Sequence, residues 1–335
     1  MAIELAAARS RYFSPQMLLG RLEQGLSVLA GGARDLPSRQ QTLRGAIAWS
    51  YELLGDEEQR LFRRLAVFVD GWTLEAAEQV CAGDEIEQEV LEVLEALVDK
   101  SLLRQEEFPD GEIRFWMLQT LREYGLERLD VAGETRAIRD AHASYFLKLA
   151  ERAMPNLMGA EQAIWLDRLE REHENLRAAL EWMLEQGGQA ERALHLCAAL
   201  IEFWEIRGYV TEGRLLLERA LAVSKGVSIS VRSEVLYGAG FLALTQDDDI
   251  RAEALLRESL VAFRASDDKP GVAKVLRILG NLARARSNYA MARSLSEDAL
   301  AIYRDLGDKK GMASTREVLA QVLATQGDYA RVRSL

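Results

Sequence analysis

Apolar residues recur along this chain with the 3.6-residue period of amphipathic helices for most of its length. Between Leu36 and Gly71 the pattern predicts two helices. Leu43, Ile47, Trp49, Tyr51 and Leu54 mark the first, which Gly55 closes. Asp56 is the expected N-cap of the second, which puts Leu61, Phe62, Leu65, Ala66 and Phe68 on one side. Thr73 is the expected cap of a short helix ending at Cys81, and Ile86, Val90, Val93, Leu94, Leu97 and Val98 predict a longer one. The period then changes to two. Residues 102–108 and 112–118 flank Pro109-Asp110-Gly111, which has the chemistry of a hairpin turn. Phe115 and Met117 fall on one face of that hairpin, Arg114 and Trp116 on the other. A helix over 119–129 follows. Together these are the parts of a winged helix, over residues 36–135.

Residues 1–35 predict two short helices, over 2–10 and 14–29, with little to pack against. That opening is expected to be a residual helical segment of a larger domain. Residues 136–231 predict helices over 142–154, 162–186, 191–207 and 212–223, hairpins that lead into an array. Over 232–335 the sequence repeats itself at an offset of forty. The loop Asp268-Lys269-Pro270-Gly271 returns as Asp308-Lys309-Lys310-Gly311, and Phe263 and Arg264 return as Tyr303 and Arg304. Gly240, Gly280, Ala252 and Ala292 allow close helix contact within each hairpin, the mark of tetratricopeptide-like repeats of about forty residues. The last hairpin is incomplete, which reads as a second cut. The expected fold class is therefore mostly α: a winged-helix domain with one β-hairpin, then a superhelical α-helical repeat array.

Composition narrows the partners. A net charge of −11 disfavours nucleic acid or an anionic membrane as a main partner. Cys81 and Cys197 are expected to be reduced, buried and small. No apolar run approaches the roughly 18 residues of a membrane span, and the start carries no secretory signal, so a cytoplasmic protein is expected.

No catalytic or metal constellation stands out, and no cofactor is expected. His142, His173 and His195 fall on separate helices, expected as two surface imidazoles and one near a packing interface. The run Glu170-Arg171-Glu172-His173-Glu174 reads as a solvated, salt-bridged helix face. Gly307 to Ser314 superficially matches a phosphate loop, but Met312 stands where lysine must reach the phosphates, and no strand precedes it. The helix that would enter a DNA groove carries Glu87, Glu89, Glu92, Glu95 and Asp99 against Lys100, which argues against direct readout of nucleic acid.

The blocks RQQTLRGAIAWSYELLGDEEQRLFRRLAVFVDGWTLEAAEQVC, VLEALVDKSLLRQ, RFWMLQTLREYGLERL and WLDRLEREHENLRAALEW resemble bacterial STAND-type signalling ATPases. These are the AfsR-like and LuxR-type regulators with an NB-ARC-like motor and a helical-repeat sensor. The resemblance implies a winged helix that docks on the nucleotide-bound motor at rest and swings away on activation. It also implies transcriptional output through another part of the polypeptide. In many relatives a Met-His-Asp motif at the end of the winged helix senses the nucleotide; here Met117, Leu118 and Gln119 stand in its place. Leucine cannot donate to a phosphate and glutamine carries no charge, so this sensor is degenerate.

The partners expected are the motor domain of the same polypeptide and an inducer, protein or small molecule, on the concave face of the repeats. The first helix of each hairpin usually lines that face. Tyr237, Phe241, Arg277, Asn281, Arg284 and Arg316 are the candidate binding residues, with core and solvated roles open for each. A stand-alone protein–protein scaffold is the alternative, and a winged-helix DNA-binding repressor fits less well.

Overall fold

The computed structural model describes residues 43–83, 90–186 and 188–333. The expected helices over 2–10 and 14–29, the start of the helix at Ile86 and the turn residue 187 lie outside these. Two compact units divide the chain: Met1–Phe146 with Arg171–Ala179, and Leu147–Glu170 with Leu180–Leu335.

The described part of the first unit opens with α1 (Leu43–Glu52) and α2 (Asp56–Leu65). α1 buries Ala46 and Ile47. Trp49 stands two residues beyond Ile47, about 200° around the helix, and is 42% exposed rather than on the apolar face. Gly55, not Asp56, is the N-cap of α2: its backbone is extended, and its N–H donates to Glu58 Oε2 at 2.9 Å. Asp56 instead joins Glu57 and Glu58 in the first turn, where carboxylates favour the positive helix end. Leu61, Phe62, Leu65, Ala66 and Phe68 are all buried, as the pattern requires.

β1 (Trp72–Thr73) leads into α3 (Leu74–Cys81), with Thr73 Oγ1 accepting the Ala76 N–H at 3.2 Å. Arg64 reaches the far end of α3 and donates to the Cys81 and Ala82 carbonyls, each at 3.0 Å. α4 (Val90–Asp99) buries Val90, Val93, Leu94 and Leu97. β2 (Arg104–Glu107) and β3 (Ile113–Trp116) form the hairpin, and β1 adds a third antiparallel strand, in the order β1-β3-β2. β3 is thus the central strand. α5 (Gln119–Val131) packs back on α2, with Gly125 so close to Ala66 that a Cβ would approach it to 2.7 Å.

A helix over 162–186 was the expectation; two are present, α7 (Gln162–Arg171) and α8 (His173–Glu185), after α6 (Thr135–Ala153). The break falls at Glu172, which is buried. Glu172 is 4% exposed and pairs with Arg114 on β3, itself 3% exposed. The 170–174 run is therefore not a uniformly solvated face. One turn on, Asn175 is fully buried and uses its whole amide. Its Oδ1 accepts the Val69 N–H at 2.9 Å and faces His142 Nε2 at 3.4 Å. Its Nδ2 donates to the Gly71 carbonyl at 2.8 Å and to Glu172 Oε2 at 3.0 Å. With Nε2–H on the histidine, both donors and both lone pairs of Asn175 are satisfied.

His142 is buried among Phe68 and Phe146, with ring centroids at 5.3 and 4.6 Å. Burial pushes its pKa down to about 3, against the Asn175 contact, and the charges of Arg122 and Arg139 act in the same sense as burial. The unfolded chain therefore binds the proton more readily. His142's contribution is whole above pH ~6.5 and is lost progressively as pH falls towards 3. At pH 5 the loss is expected to be about 2 kcal/mol. Glu172, whose carboxyl burial holds above its usual value, acts in the opposite sense. Urea unfolding at pH 7 and pH 5 of the native chain and His142→Gln separates the two. The substitution should flatten the pH dependence, and an unchanged slope would contradict the neutral buried imidazole.

In the second unit the repeats run as α9 (Ala190–Arg207), α10 (Val210–Val223), α11 (Ile229–Leu244), α12 (Asp249–Ala265), α13 (Lys269–Ala285), α14 (Tyr289–Leu306), α15 (Lys309–Thr325) and α16 (Tyr329–Val332). From α12 onward every helix begins with the same cap, twenty residues apart. Asp248, Asp268, Asn288, Asp308 and Asp328 each accept the N–H three residues on, at 2.9–3.2 Å. The residue before each cap has positive φ: Asp247, Asp267, Ser287, Gly307 and Gly327. Two such steps make the forty-residue period. Lys269-Pro270 and Lys309-Lys310 accordingly open helices rather than forming loops, with Pro270 where its missing N–H costs nothing. The small residues do bring helices together. A Cβ on Gly240 would lie 3.2 Å from the Ala252 carbonyl, and one on Gly280 3.4 Å from that of Ala292.

Candidate functional site

A cavity of about 790 Å³ opens on the repeat unit. Its wall comes from the first helices of successive hairpins: Glu202 on α9, Glu234, Tyr237 and Phe241 on α11, and Lys274 and Arg277 on α13. The start of α15 adds Asp308, Lys310 and Ser314, and Tyr303 of α14 lies against it. Met154 and Met158, in the turn after α6, line the same space. Capping geometry explains why α15 presents these groups. Asp308 folds back on the Gly311 amide, which puts Lys310 in the first turn of α15 and Ser314 in the second.

Tyr237 and Phe241 stack one turn apart, with centroids 5.9 Å apart and planes 7° from parallel. Tyr237 is buried, while Phe241 is half-buried and packs on the core that includes Phe263 and Leu276. Burial pushes the Tyr237 hydroxyl pKa well up. Lys274 Nζ sits 4.0 Å above the Tyr237 ring and 3.5 Å from Glu234. Burial raises the Tyr303 hydroxyl pKa, and the nearby Arg277 guanidinium opposes the shift. Glu202 is half-buried and burial raises its carboxyl pKa, although Lys274 and Lys310 are near enough to oppose the shift.

Three of the six residues taken from the helix period thus meet at one cavity: Tyr237, Phe241 and Arg277. Asn281 and Arg284 lie further along α13, where Asn281 Oδ1 accepts from Arg284 Nε at 3.1 Å and Nη2 at 2.9 Å. Arg316 is half-buried on α15 beyond the cavity's lining residues. Glu202, Lys274, Tyr303 and Lys310 were missed. Glu202 left a trace, as a lone carboxylate within the apolar run from Leu196 to Trp204. Tyr303 follows from its repeat partner Phe263, but Lys310 takes its place only through the cap at Asp308.

In the first unit, Met117 is half-buried and Leu118 is 47% exposed as the N-cap of α5. Gln119 donates to Glu123 Oε1 at 3.3 Å, a bond within its own helix. On α4, Glu92, Glu95 and Asp99 face solvent, and Lys100 is paired with Glu58. Both cysteines are buried free thiols. Of the three histidines, His142 is buried and His195 is exposed on the cavity rim. Among the described residues no helix is long and apolar enough to cross a membrane.

Residues 54–130 match the family of winged helix-turn-helix domains, and residues 231–305 and 272–335 match the tetratricopeptide repeat family. The chain is thus mostly helical and carries both kinds of domain. A Mycobacterium tuberculosis protein named "Putative HTH-type transcriptional regulator" is 39% identical over 248 residues, 72% of this chain. The chain spans 28% of that relative's length. Among solved structures, a STAND protein with a tetratricopeptide repeat sensor from Pyrococcus horikoshii aligns at 14% identity with a TM-score of 0.38, over 98% of this chain and 57% of that one. BtubC from P. vanneervenii aligns at 19% identity with a TM-score of 0.46, over 58% of this chain and 87% of that one. Both scores lie below the level at which a shared fold follows.

Proposed function

We propose that this chain is the regulatory portion of a STAND-type signal-transducing ATPase that acts in transcription regulation. Its winged helix couples the state of the motor to the repeat arm, and the cavity on that arm takes the inducer. The carrying observation is the cavity itself, where aromatic rings and charges of both signs converge from successive repeats. The sequence blocks of the family, and a regulator-named relative much longer than this chain, support the rest.

The winged helix acts by docking on protein rather than on DNA in this reading. The exposed carboxylates of α4 and of β2, where Glu106 and Glu107 face solvent, would repel a polyanion. A stand-alone scaffold remains the second reading, favoured only by the repeats themselves.

Anisotropy of labelled ADP, ATP with magnesium and duplex DNA, each titrated with the purified chain, tests the assignment. No saturable binding up to millimolar nucleotide is expected, because Leu118 and Gln119 supply no phosphate clamp. Micromolar nucleotide binding would reopen the enzyme class. Saturable DNA binding would return the repressor.

A further inference from the structure

Charges that face a cavity without a partner indicate what the cavity is built to receive. Around this one, Lys274 is already matched by Glu234 at 3.5 Å. Glu151, Glu202, Glu205, Asp308, Arg277 and Lys310, which also line the cavity, are not. Among the described residues Glu202, Arg277 and Lys310 form no ion pair, although Lys310 is close enough to Glu202 to bias its titration. Opposite charges thus stand within electrostatic reach but out of contact.

We infer that the cavity binds a small zwitterion, of free amino-acid or short-peptide size, with Arg277 and Lys310 on its carboxylate and Glu202 on its ammonium. This rests on the reading of the cavity as the inducer site. A ligand with only negative charge would meet Glu151, Glu202, Glu205, Glu234 and Asp308 on the wall, and one with only positive charge would meet Lys274, Arg277 and Lys310. A ligand with both, a few ångströms apart, meets a partner at each end. The first turn of α15 adds its dipole to the carboxylate end, beside Lys310 and Ser314. Between the charged ends, Phe241, Ile201, Ile278 and Met154 provide an apolar bed for a side chain. A volume of about 790 Å³ suits a small molecule, and the turn carrying Met154 and Met158 lines the same space, which favours a compact ligand over an extended strand.

The test is calorimetric titration of the full chain with dipeptides Gly-X, where X covers all twenty amino acids. Each dipeptide is used in free, N-acetylated and C-amidated form. At least one free dipeptide is expected to bind saturably, with both of its capped forms weaker by about tenfold or more, one lost charge-assisted hydrogen bond being worth that factor. Glu202→Gln should remove the penalty for N-acetylation and Lys310→Gln should reduce the penalty for C-amidation. A general loss of structure would not produce that exchange of preferences, and far-UV circular dichroism checks the fold of each variant. No binding by any free dipeptide, or equal binding by the capped forms, overturns the zwitterion. Binding by one capped class alone, abolished in Arg277→Met, overturns it while keeping the cavity as the inducer site. The nucleotide titration judges the wider STAND assignment separately.

Discussion

Truncating Glu172 to alanine is expected to destabilise the winged-helix unit by about 3–5 kcal/mol, the cost of stranding a buried charge. Arg114 sits on the central strand β3 and is 3% exposed. Its guanidinium contacts Glu172 and donates to the Arg171 carbonyl at 3.2 Å. The remaining carboxylate, Glu112, is 3.7 Å away and already engaged by Arg171 at 2.9 Å. Without Glu172, Arg114 keeps a positive charge in a site that water reaches poorly, and Asn175 loses one of its acceptors. The double variant Arg114→Leu/Glu172→Leu removes both charges, and should recover most of the loss. Urea unfolding gives the energies. Hydrogen exchange over 66–72 and 171–179 localises them, since the Val69 amide is held by Asn175. A loss under about 1 kcal/mol for the single variant would mean that the pair is solvated and worth no more than a surface bridge.

That pair also marks where reading the sequence stops. The cap at Thr73, the hairpin and the forty-residue repeat were legible, because each rests on a regular or local pattern. Thr73 capping Ala76 is one example, and the recurrence of Asp268 as Asp308 is another. The cap expected at Asp56, however, falls at Gly55, and Asp268 and Asp308, read as loop residues, cap helices. The strand at Trp72-Thr73 was not legible, since two residues carry no period and pair with β3 only through tertiary structure. Nor was the break at Glu172. Glu172 is buried against an arginine 58 residues away, and nothing local separates it from its half-buried neighbours Glu170 and Glu174. The candidate site divides in the same way. Helix period brings Tyr237, Phe241 and Arg277 to one face but runs on to Asn281 and Arg284, because it cannot tell how far along α13 the neighbouring helices reach.

The largest effect expected in the repeat unit is at Phe263, whose truncation to alanine should cost about 3–5 kcal/mol. Its ring is fully buried and lies where a Cβ on Gly271, at the start of α13, would overlap it. Gly271→Ala alone should cost about 1–3 kcal/mol by overpacking. In the Phe263→Ala background the added methyl finds space, so the double-mutant cycle should show a favourable coupling of about 1–3 kcal/mol. Calorimetric unfolding of the four proteins measures it, and strict additivity would mean that ring and glycine do not share one contact. The same device recurs forty residues on, where Tyr303 packs against Gly311. There it also shapes the cavity, because Tyr303 lines it near Arg277. A ring–glycine contact that only stabilises in one repeat thus lines the cavity in the next. Gly311→Ala should therefore weaken ligand binding by more than its cost in stability explains, whereas Gly271→Ala, one packing layer from the lining residues through Phe263, should lower stability with a smaller effect on affinity.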